Sequence, residues 1–421
     1  MSEKLAIHGG TPVRDNKIFY GRQCIGEDDI AAVGEVLRGP YITCGPDVAA
    51  VEKMLAEVTG AKYAVVVSNG TAALHCAMLA AGIGPGDEVI TTPLTFAASA
   101  NCAVYVGAKP VFADVNPETY NIDPDSIEAH ITDKTRAVVA VDYTGQAVEH
   151  DRIREICDKH GLTYVVDAAH AIGTRYLTHA QKTVDGAGSG SDGTGADGTW
   201  LNEGSIGDMT CFSFHPVKTI TSGEGGAITT NDPELFRKLR LASQHGIVRN
   251  PDEFDEKDPE GIWYYEMQTL GFNYRMTDFQ AALLISQLKK LPEFSKRRHE
   301  IVTRYNEAFA DVPEIIVQRE IPESDTTRHL YIIQLDLDKL TCTRREFFDA
   351  MSAENVQCQV HYVPVYYFPF YRDMGYERGL CPNAERIYDR IMSIPLYPMM
   401  TDEDVESVIT AVKKIVDWYR K

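Results

Sequence analysis

The sequence predicts an α/β protein built around a mostly parallel sheet. Short, continuously apolar runs alternate with helical patterns from about residue 48 to residue 230. Continuous apolar runs are typical of strands buried on both faces, and their alternation with helices is typical of βαβ units. A chain of 421 residues is also long enough to bury a large core and to form more than one unit.

Strands and helices follow one another in order through this region. We predict strands at "KYAVVVS", "DEVITTP", "KPVFADV", "TRAVVAVDYTG" and "LTYVVDAAH". The segments between them predict helices at "GTAALHCAMLAAGIG", "TFAASANCAVYVG", "DPDSIEAHI" and "EHDRIREICDKHG". Helices on both faces of the sheet would cover these apolar strands.

Residues 177–206 interrupt the alternation. The stretch "GAGSGSDGTGADG" is rich in Gly, Ser and Asp and has no apolar period, so we predict a flexible surface insertion. Its acidic spacing faintly suggests calcium. The ligand order and the terminal glutamate of an EF-hand are missing, and we therefore expect a loop and no metal site.

The chain divides into two predicted domains. Residues 1–312 form the large α/β domain, including an N-terminal arm, and end in a helix at 278–309. Residues 313–421 form a smaller C-terminal α+β domain. It contains the strand "HLYIIQLDL", the helix "RREFFDAMSAENV" and a closing amphipathic helix, "EDVESVITAVKKIVDWY".

Composition excludes several classes of partner. The net charge of −20 argues against a broad surface for nucleic acid or anionic membrane. Nine cysteines occur without CxxC pairs, the N-terminus has no apolar signal region, and no window reaches the roughly 18 apolar residues of a membrane span. We expect a cytoplasmic protein with reduced thiols.

Lys218 stands between an apolar run and a glycine cluster in "CFSFHPVKTITSGEGGAITTND". Predicted strands on either side would hold it on a turn at a sheet edge, and Gly223, Gly225 and Gly226 would let the backbone pass close to a ligand. A lysine in such a place is a candidate Schiff-base nucleophile. A solvated surface lysine on a glycine turn is the alternative.

Three further candidates also follow predicted strands. "SNGTAAL", residues 68–74, would leave backbone amides free at a helix N-terminus as an anion cradle, although many ordinary turns look alike. Asp167 in "YVVDAAHAIG" could pair with a protonated ring nitrogen or simply cap a helix, and His170 could be a plain buried histidine. Phe96 could stack on a planar ring or belong to the core.

The set is more informative than its members. A phosphate cradle, an aromatic side chain, a carboxylate and a lysine occur in that order, each just after a predicted strand. A pyridoxal 5'-phosphate site needs these parts: an anchor, a ring clamp, a partner for the pyridine nitrogen and a Schiff-base amine. The sequence therefore predicts a pyridoxal phosphate enzyme.

Three longer segments carry a family resemblance. "VVDAAHAIGT", "FSFHPVKTITSGEGG" and "GFNYRMTDFQAAL" resemble signatures of the DegT/DnrJ/EryC1/StrS sugar aminotransferases, which have the aspartate-aminotransferase fold (fold type I). The resemblance covers nearly the whole chain. It implies a pyridoxal phosphate-dependent nucleotide-sugar transaminase that works as a homodimer with shared active sites.

The resemblance also implies roles for individual residues. Lys218 would form the Schiff base, Asp167 would pair with the pyridine nitrogen, and Phe96 would stack on the ring. The other cofactor contacts implied are His170 near the ring 3-oxygen, Gly70, Thr71, Ala72 and Ser213 around the phosphate, and Asn273 reaching the phosphate of the neighbouring subunit's cofactor. On the substrate side, Arg275, His361 and Tyr362 are candidates.

Within the family, the chain is similar to the subgroup of pseudaminic acid biosynthesis. "VAVDYTGQAVEHDRI" and "QCQVHYVPVYYFPFY" carry this similarity. It implies transfer of the amino group of L-glutamate to the 4-keto carbon of a UDP-linked 6-deoxy-N-acetylhexosamine. Tyr366 stands where many relatives have a histidine, and the 177–206 insertion also departs from the pattern.

Three other functions remain open at this point. The first is a transaminase for a different 3- or 4-keto sugar, UDP- or dTDP-linked. The second is a pyridoxal phosphate-dependent sugar dehydratase, whose branch resembles this family but replaces the lysine with histidine, whereas Lys218 is present here. The third is a cofactor-sensing regulator, which would need a DNA-binding module that the short, acidic N-terminal region lacks.

Overall fold

The computed structural model describes residues 3–180, 198–257, 259 and 261–421. Its strands are β1 (Tyr63–Val67), β2 (Glu88–Thr91), β3 (Lys109–Phe112), β4 (Thr135–Val141), β5 (Thr163–Asp167), β6 (Arg175–Thr178), β7 (Thr199–Asn202), β8 (Met209–Ser213), β9 (Gly226–Thr230), β10 (Ile247–Val248), β11 (Glu266–Met267), β12 (Ile315–Val317), β13 (Ser324–Asp325), β14 (Tyr331–Leu335) and β15 (Ile391–Ile394). Its helices are α1 (Glu27–Arg38), α2 (Pro46–Thr59), α3 (Gly70–Ala80), α4 (Ala98–Tyr105), α5 (Pro124–Ala129), α6 (His150–His160), α7 (Pro233–Ser243), α8 (Asp278–Phe309), α9 (Arg344–Ala353), α10 (Pro369–Asp373), α11 (Pro382–Tyr388) and α12 (Asp402–Tyr419).

The large sheet has seven strands in the order β1-β9-β8-β5-β4-β2-β3. Strand β9 runs antiparallel to both its neighbours, while the other neighbouring pairs are parallel. The predicted, mostly parallel sheet is thus confirmed. The turn that carries Lys218 joins β8 to β9, which are both inner strands, so it lies where these strands end and does not belong to an edge strand.

Alternation along each strand divides the side chains between two cores. In β4, Ala137 and Val139 pack with α3, α4 and α7 on one face of the sheet. Their neighbours Val138 and Ala140 pack with α2, α5, α6 and α8 on the other face. Both sets are apolar because the sheet is covered on both sides, which is why these strands have continuous apolar sequences.

The prediction of a surface insertion at residues 177–206 is wrong at both ends, where the structure has strands. Strands β6 and β7 pair in an antiparallel hairpin from Arg175↔Asn202 to Thr178↔Thr199, and β13 adds to the other side of β6. Four-residue strands beside a Gly/Ser/Asp-rich stretch have little local signal, and the partner β13 lies far away in the chain. Residues 181–197 of the predicted insertion lie outside the described residues.

Helix α8 matches the predicted helix and contains 32 residues with Pro292 inside it. It leads into a second sheet of order β12-β14-β15, which α9 and α12 accompany. Neither α8 nor any other helix in the described part of the chain combines the length and apolar content that a membrane span requires. The domain division at residues 312/313 stays a prediction.

The N-terminal arm packs on the C-terminal sheet and its helices. Leu5 and Ile18 belong to the same apolar cluster as side chains of α9, α12 and β14. Glu354 anchors the arm: its buried carboxylate accepts the amide hydrogens of Ala6 at 2.9 Å and Val13 at 3.0 Å. The Lys414 ammonium lies 3.0 Å from the same carboxylate and balances its charge.

We expect Glu354→Gln to destabilise the protein by about 3 kcal/mol, because it leaves the buried Lys414 ammonium with only the exposed Glu3 carboxylate, 3.8 Å away, as a counter-charge. Urea denaturation measures the change. Asp349→Asn is the control, since its partner Arg345 lies 3.9 Å away on the exposed face of α9 and should contribute little. Equal midpoints for the two variants would show that the buried pair does not anchor the arm.

Candidate active site

A cavity of about 300 Å³ opens at the carboxyl ends of the parallel strands, where α/β proteins place their ligands. The turn between β8 and β9, the start of α3 and residues 361–362 of the C-terminal region contribute to its wall. The site residues predicted from the sequence that line it are Gly70, Thr71, Phe96, Asp167, His170, Ser213, Lys218, His361 and Tyr362.

Asp167 ends β5 and is held by hydrogen bonds in a buried position. Ser99, on α4, donates its hydroxyl to Asp167 Oδ2 at 2.6 Å, and the Ala169 amide donates to Oδ1 at 3.1 Å. Burial raises the pKa of Asp167, while these two hydrogen bonds and the charge of Lys218 oppose the rise. The carboxylate therefore gains from any cation brought within its reach.

Lys218 lies in the wall of the same cavity. Its backbone amide donates to the His215 carbonyl at 2.9 Å, which closes a tight turn after β8. Burial lowers the pKa of its ammonium from 10.5 to about 8, and the negative charge of Asp167 limits the fall. A much larger fraction of Lys218 is thus the neutral, nucleophilic amine near pH 8 than for an exposed lysine.

An anion cradle forms where α3 begins. Asn69 caps the helix, its side chain accepting the Ala72 amide at 2.8 Å, and Gly70 and Thr71 occupy the first turn, whose amides have no partner within the helix. A Cβ at Gly70 would lie 2.9 Å from the Ser213 Cβ, so only glycine lets these segments come so close. The cradle fits a phosphate group.

Gly226 is required for a different reason from the predicted one, which was close approach of the backbone to a ligand. A Cβ there would lie 2.4 Å from the Asn69 carbonyl oxygen, in a backbone-to-backbone contact that cannot relax. Gly226 therefore lets β9 pass the cradle itself, not a ligand. The glycine cluster after Lys218 is one reason why the turn and the cradle share a cavity.

Three histidines, His170, His329 and His361, line the same cavity as Lys218. The Tyr362 hydroxyl lies 3.0 Å from His170 Nε2, and the His329 ring centroid lies 4.5 Å from that of His170. His170 Nδ1 is buried and has no hydrogen-bond partner in the described structure. Burial and the nearby Lys218 hold the pKa of His170 well below its usual value and lower that of His361 to about 4.

Phe96 stands at the mouth of the cavity with 62 % of its surface exposed. Its ring centroid lies 6.2 Å from that of Tyr362, with the two planes tilted by 59°. A large exposed aromatic side chain in a cavity wall is a surface that a planar ligand would cover.

Other predicted site residues lie elsewhere. The Ala72 amide donates to the Asn69 cap. The exposed Asn273 forms an isolated β-bridge with Gln244. The half-buried Arg275 forms another with Val67, at the end of β1. None of the three predicted residues is part of the cavity wall.

Tyr366, the residue that departs from the family pattern, is fully buried and belongs to a core cluster. Its hydroxyl donates to Glu385 at 2.6 Å. It is absent from the wall of this cavity.

Sequence reasoning missed Ser99, His329 and the capping role of Asn69. Ser99 is one small residue among several in "TFAASANCAVYVG". His329 lies two residues before β14 begins, in a segment without a recognisable motif. The Asn69 cap had a signal, since asparagine before a helix start is a common N-cap.

The fold and this cavity define a class of enzyme. A fold type I sheet that brings a desolvated lysine, a buried aspartate and an anion cradle into one cavity is the architecture of a pyridoxal phosphate-dependent transaminase. The chain belongs to the DegT/DnrJ/EryC1/StrS aminotransferase family, whose profile matches residues 23–413.

Individual relatives match over almost their whole length. The chain is 42 % identical to the spore coat polysaccharide biosynthesis protein SpsC of Bacillus subtilis over 96 % of this chain and 98 % of that protein. It is 30 % identical to PseC of Helicobacter pylori, an aminotransferase involved in the biosynthesis of pseudoaminic acid, with a TM-score of 0.83 over 96 % of this chain and 100 % of that one.

A sugar aminotransferase of Streptococcus pneumoniae, Spr1654, described as putative, adds information on the cofactor. Its PMP-form is 28 % identical with a TM-score of 0.85, covering 95 % of this chain and 99 % of that one. Its PLP-form is 27 % identical with a TM-score of 0.84, covering 96 % and 99 %. The cofactor of the chain described here, as a member of the same family, is pyridoxal 5'-phosphate.

The residues present fit this cofactor. The glycine-lined cradle at Gly70 suits the phosphate, and the unpartnered His170 Nδ1 offers a polar contact to a ring substituent. Burial disfavours the negative charge of Asp167, and a protonated ring nitrogen beside it would supply a compensating positive charge.

The lowered pKa of Lys218 predicts how the apoenzyme takes up the cofactor. Only the neutral amine attacks the cofactor aldehyde, so the rate of uptake should rise with pH through about 8 and level off above it. Stopped-flow absorbance on apoenzyme mixed with pyridoxal phosphate gives this profile. A midpoint near 10.5, the usual value for lysine, would contradict a desolvated Lys218.

A second prediction concerns Asp167→Asn. The variant should bind the cofactor but transaminate about 100-fold or more slowly, because a neutral side chain no longer keeps the ring nitrogen protonated. Bound cofactor is measured by absorbance and turnover by 2-oxoglutarate formation. Ser99→Ala is the graded control: it keeps the carboxylate and removes one hydrogen bond, so its loss should be much smaller. An unchanged rate in Asp167→Asn would remove Asp167 from this role.

Proposed function

We propose that this enzyme transfers the amino group of L-glutamate to the 4-keto carbon of a UDP-linked 6-deoxy-N-acetylhexosamine, as a step in pseudaminic acid biosynthesis. The observation that carries the proposal is the shared cavity of Lys218 and Asp167 in a chain of the sugar aminotransferase family. The likeness to PseC and the segments around Asp142 and His361 support the sugar assignment.

In this proposal the cavity residues divide the work of holding the cofactor. Lys218 would capture the aldehyde, Asp167 would pair with the ring nitrogen and Phe96 would cover the ring. The amides of Gly70 and Thr71, with the Ser213 hydroxyl, would hold the phosphate, and His170 would lie beside the ring 3-oxygen. Ala72 is also proposed as part of the phosphate site, where its amide donates to the Asn69 cap at 2.8 Å.

The bound cofactor supplies an electron sink that stabilises negative charge on the carbon losing a proton. Lys218, once released by the donor amine, takes the proton from the α-carbon of glutamate as a general base. With its pKa lowered to about 8, it can accept that proton and give it back at neutral pH. In the second half-reaction, the same amine delivers a proton to the 4-carbon of the sugar.

The substrate side of the cavity is assigned to His361 and Tyr362. Ser393 holds the His361 ring through a 2.8 Å hydrogen bond to Nδ1, which leaves Nε2 free to face a ligand. Tyr362 contacts both Phe96, with ring centroids 6.2 Å apart, and His170, whose Nε2 lies 3.0 Å from the Tyr362 hydroxyl. Arg275, near the end of β1, is proposed to contact the nucleotide phosphates.

The enzyme is also proposed to act as a homodimer. Asn273 is exposed and is assigned to the cofactor phosphate of the partner subunit. The neighbouring segment exposes large apolar side chains, among them Ile262, Trp263 and Leu270, which a partner surface would cover. Two subunits would then complete each other's site.

A cytoplasmic location completes the proposal. All nine cysteines are free thiols, and seven of them are buried. Unpaired cysteines in this number suit a reducing compartment. UDP-sugar and glutamate would be the partners there, without nucleic acid or membrane.

A different 3- or 4-keto nucleotide sugar is the second candidate substrate. The observation that favours it is the 42 % identity to SpsC, whose name assigns it to spore coat polysaccharide rather than to pseudaminic acid. The cavity chemistry at Lys218 and Asp167 is the same in both cases, so only the sugar and its nucleotide would differ.

The proposal predicts two successive results with purified holoenzyme. L-glutamate should convert the yellow enzyme to its pyridoxamine form, and this form should then aminate a UDP-linked 4-keto-6-deoxy-N-acetylhexosamine in preference to dTDP-linked 4-keto sugars. Absorbance and mass spectrometry of the sugar product measure the two steps, with Lys218→Ala as the inactive control. Preference for a dTDP or 3-keto sugar would support the second candidate. No response to glutamate would contradict the proposed donor.

A further inference from the structure

A second cluster of functional groups lies outside the cofactor cavity. Asp142 follows β4, His150 begins α6 and Glu203 follows β7. His150 Nε2 lies 3.1 Å from Glu203 Oε2 and 3.8 Å from Asp142 Oδ1, and one ligand atom of each residue lies within 4.8 Å of the others. No sequence motif predicted this cluster, because its members come from three separate segments.

The three side chains are enclosed by protein. Asp142 and His150 have no exposed surface, and Glu203 has 1 %. Two carboxylates side by side in such a place are strongly unfavourable unless a positive charge accompanies them or one of them takes up a proton. A single imidazolium would neutralise only one of them.

The hydrogen bonds of the cluster leave two oxygens without partners. Asp142 Oδ1 accepts the Val148 amide at 3.0 Å, but Asp142 Oδ2 and Glu203 Oε1 are buried and have no hydrogen-bond partner in the described structure. Buried carboxyl oxygens are rarely left in this state unless an ion, a water or a proton shared between the two carboxyl groups satisfies them. Both atoms are available as additional ligands.

The histidine is oriented as a metal ligand would be. The Tyr164 hydroxyl lies 2.7 Å from His150 Nδ1 and can accept its hydrogen, which leaves Nε2 as the lone-pair donor towards the two carboxylates. A hydrogen bond on the far ring nitrogen is the usual support for a metal-bound histidine. Ligand atoms about 2.1 Å from a tetrahedral ion are roughly 3.4 Å apart, which is close to the separations seen here.

We propose that Asp142, His150 and Glu203 bind one divalent transition-metal ion, for which Zn²⁺ has the best match of ligand type and spacing. The ion joins the β6–β7 hairpin to the start of α6 and to the end of β4. It takes no part in the transamination, since none of its three ligands lines the cofactor cavity. The site is closed, so the ion enters as the chain folds.

The proposed metal site is also connected to the backbone of Asp167. The Asp142 amide donates to the Asp167 backbone carbonyl at 3.1 Å, which ties the loop after β4 to the end of β5. An ion that fixes Asp142 therefore stabilises the backbone on which Asp167 stands. Its role is structural.

The test is metal analysis of the enzyme made without a polyhistidine tag, in medium that contains zinc, manganese and iron. Plasma mass spectrometry should find about one ion per chain, and the choice among the three metals identifies it. Anomalous scattering from a crystal should place that ion between His150 Nε2 and the two carboxylates.

Glu203→Gln removes one charged ligand with little change in shape, and the metal content should fall at least about 10-fold. Its melting temperature should be lower than that of the parent enzyme when zinc is supplied, and this difference should shrink in zinc-free medium. Glu155→Gln, an exposed change on α6, is the matched control and should keep both metal and stability.

Two results would overturn the proposal. One is a parent enzyme with background metal content, no anomalous peak at the cluster, and a melting temperature that supplied zinc does not change. The cluster would then be a triad that shares protons. The other is full metal content in Glu203→Gln, which would place the ion elsewhere in the protein. Neither result would bear on the transaminase, whose activity is measured separately.

Discussion

The mutual electrostatic effect of Asp167 and Lys218 in one desolvated cavity is the interaction on which the site depends. Burial alone raises the pKa of the carboxyl group and lowers that of the ammonium group. Each charge opposes the shift of the other. The balance leaves a lysine that loses its proton near pH 8, close to the range where a general base works best, beside a carboxylate that needs a cation.

The sheet supplies the geometry for this pair. Parallel strands bring β5, which ends at Asp167, and β8, which precedes Lys218, to the same end of the sheet, and β9 then returns antiparallel beside β1. That return passes the start of α3 so closely that Gly226 and Gly70 have no room for a Cβ. Phosphate cradle, carboxylate and lysine thus meet although they are distant in sequence.

Local sequence was sufficient for the residues that follow strands. Lys218, Asp167, Phe96 and the cradle were predicted because together, each after a predicted strand, they supply the parts of one cofactor site, although each alone had an ordinary alternative. The large sheet followed from continuous apolar runs. Contacts that depend on tertiary packing were not predictable. Ser99 reaches Asp167 from another helix, and Glu203 reaches His150 from a hairpin whose four-residue strands have little propensity of their own. The arm that packs through Leu5 on the C-terminal core is a further example.

Lys218 is proposed to be the lysine that holds the cofactor. Reduction of the purified holoenzyme with borohydride converts a Schiff base to a stable secondary amine, and peptide mass spectrometry then locates the attached pyridoxyl group. We expect the group on Lys218 alone, and none on that peptide when glutamate is added first. Attachment to another lysine, with the Lys218 peptide unmodified, would contradict it.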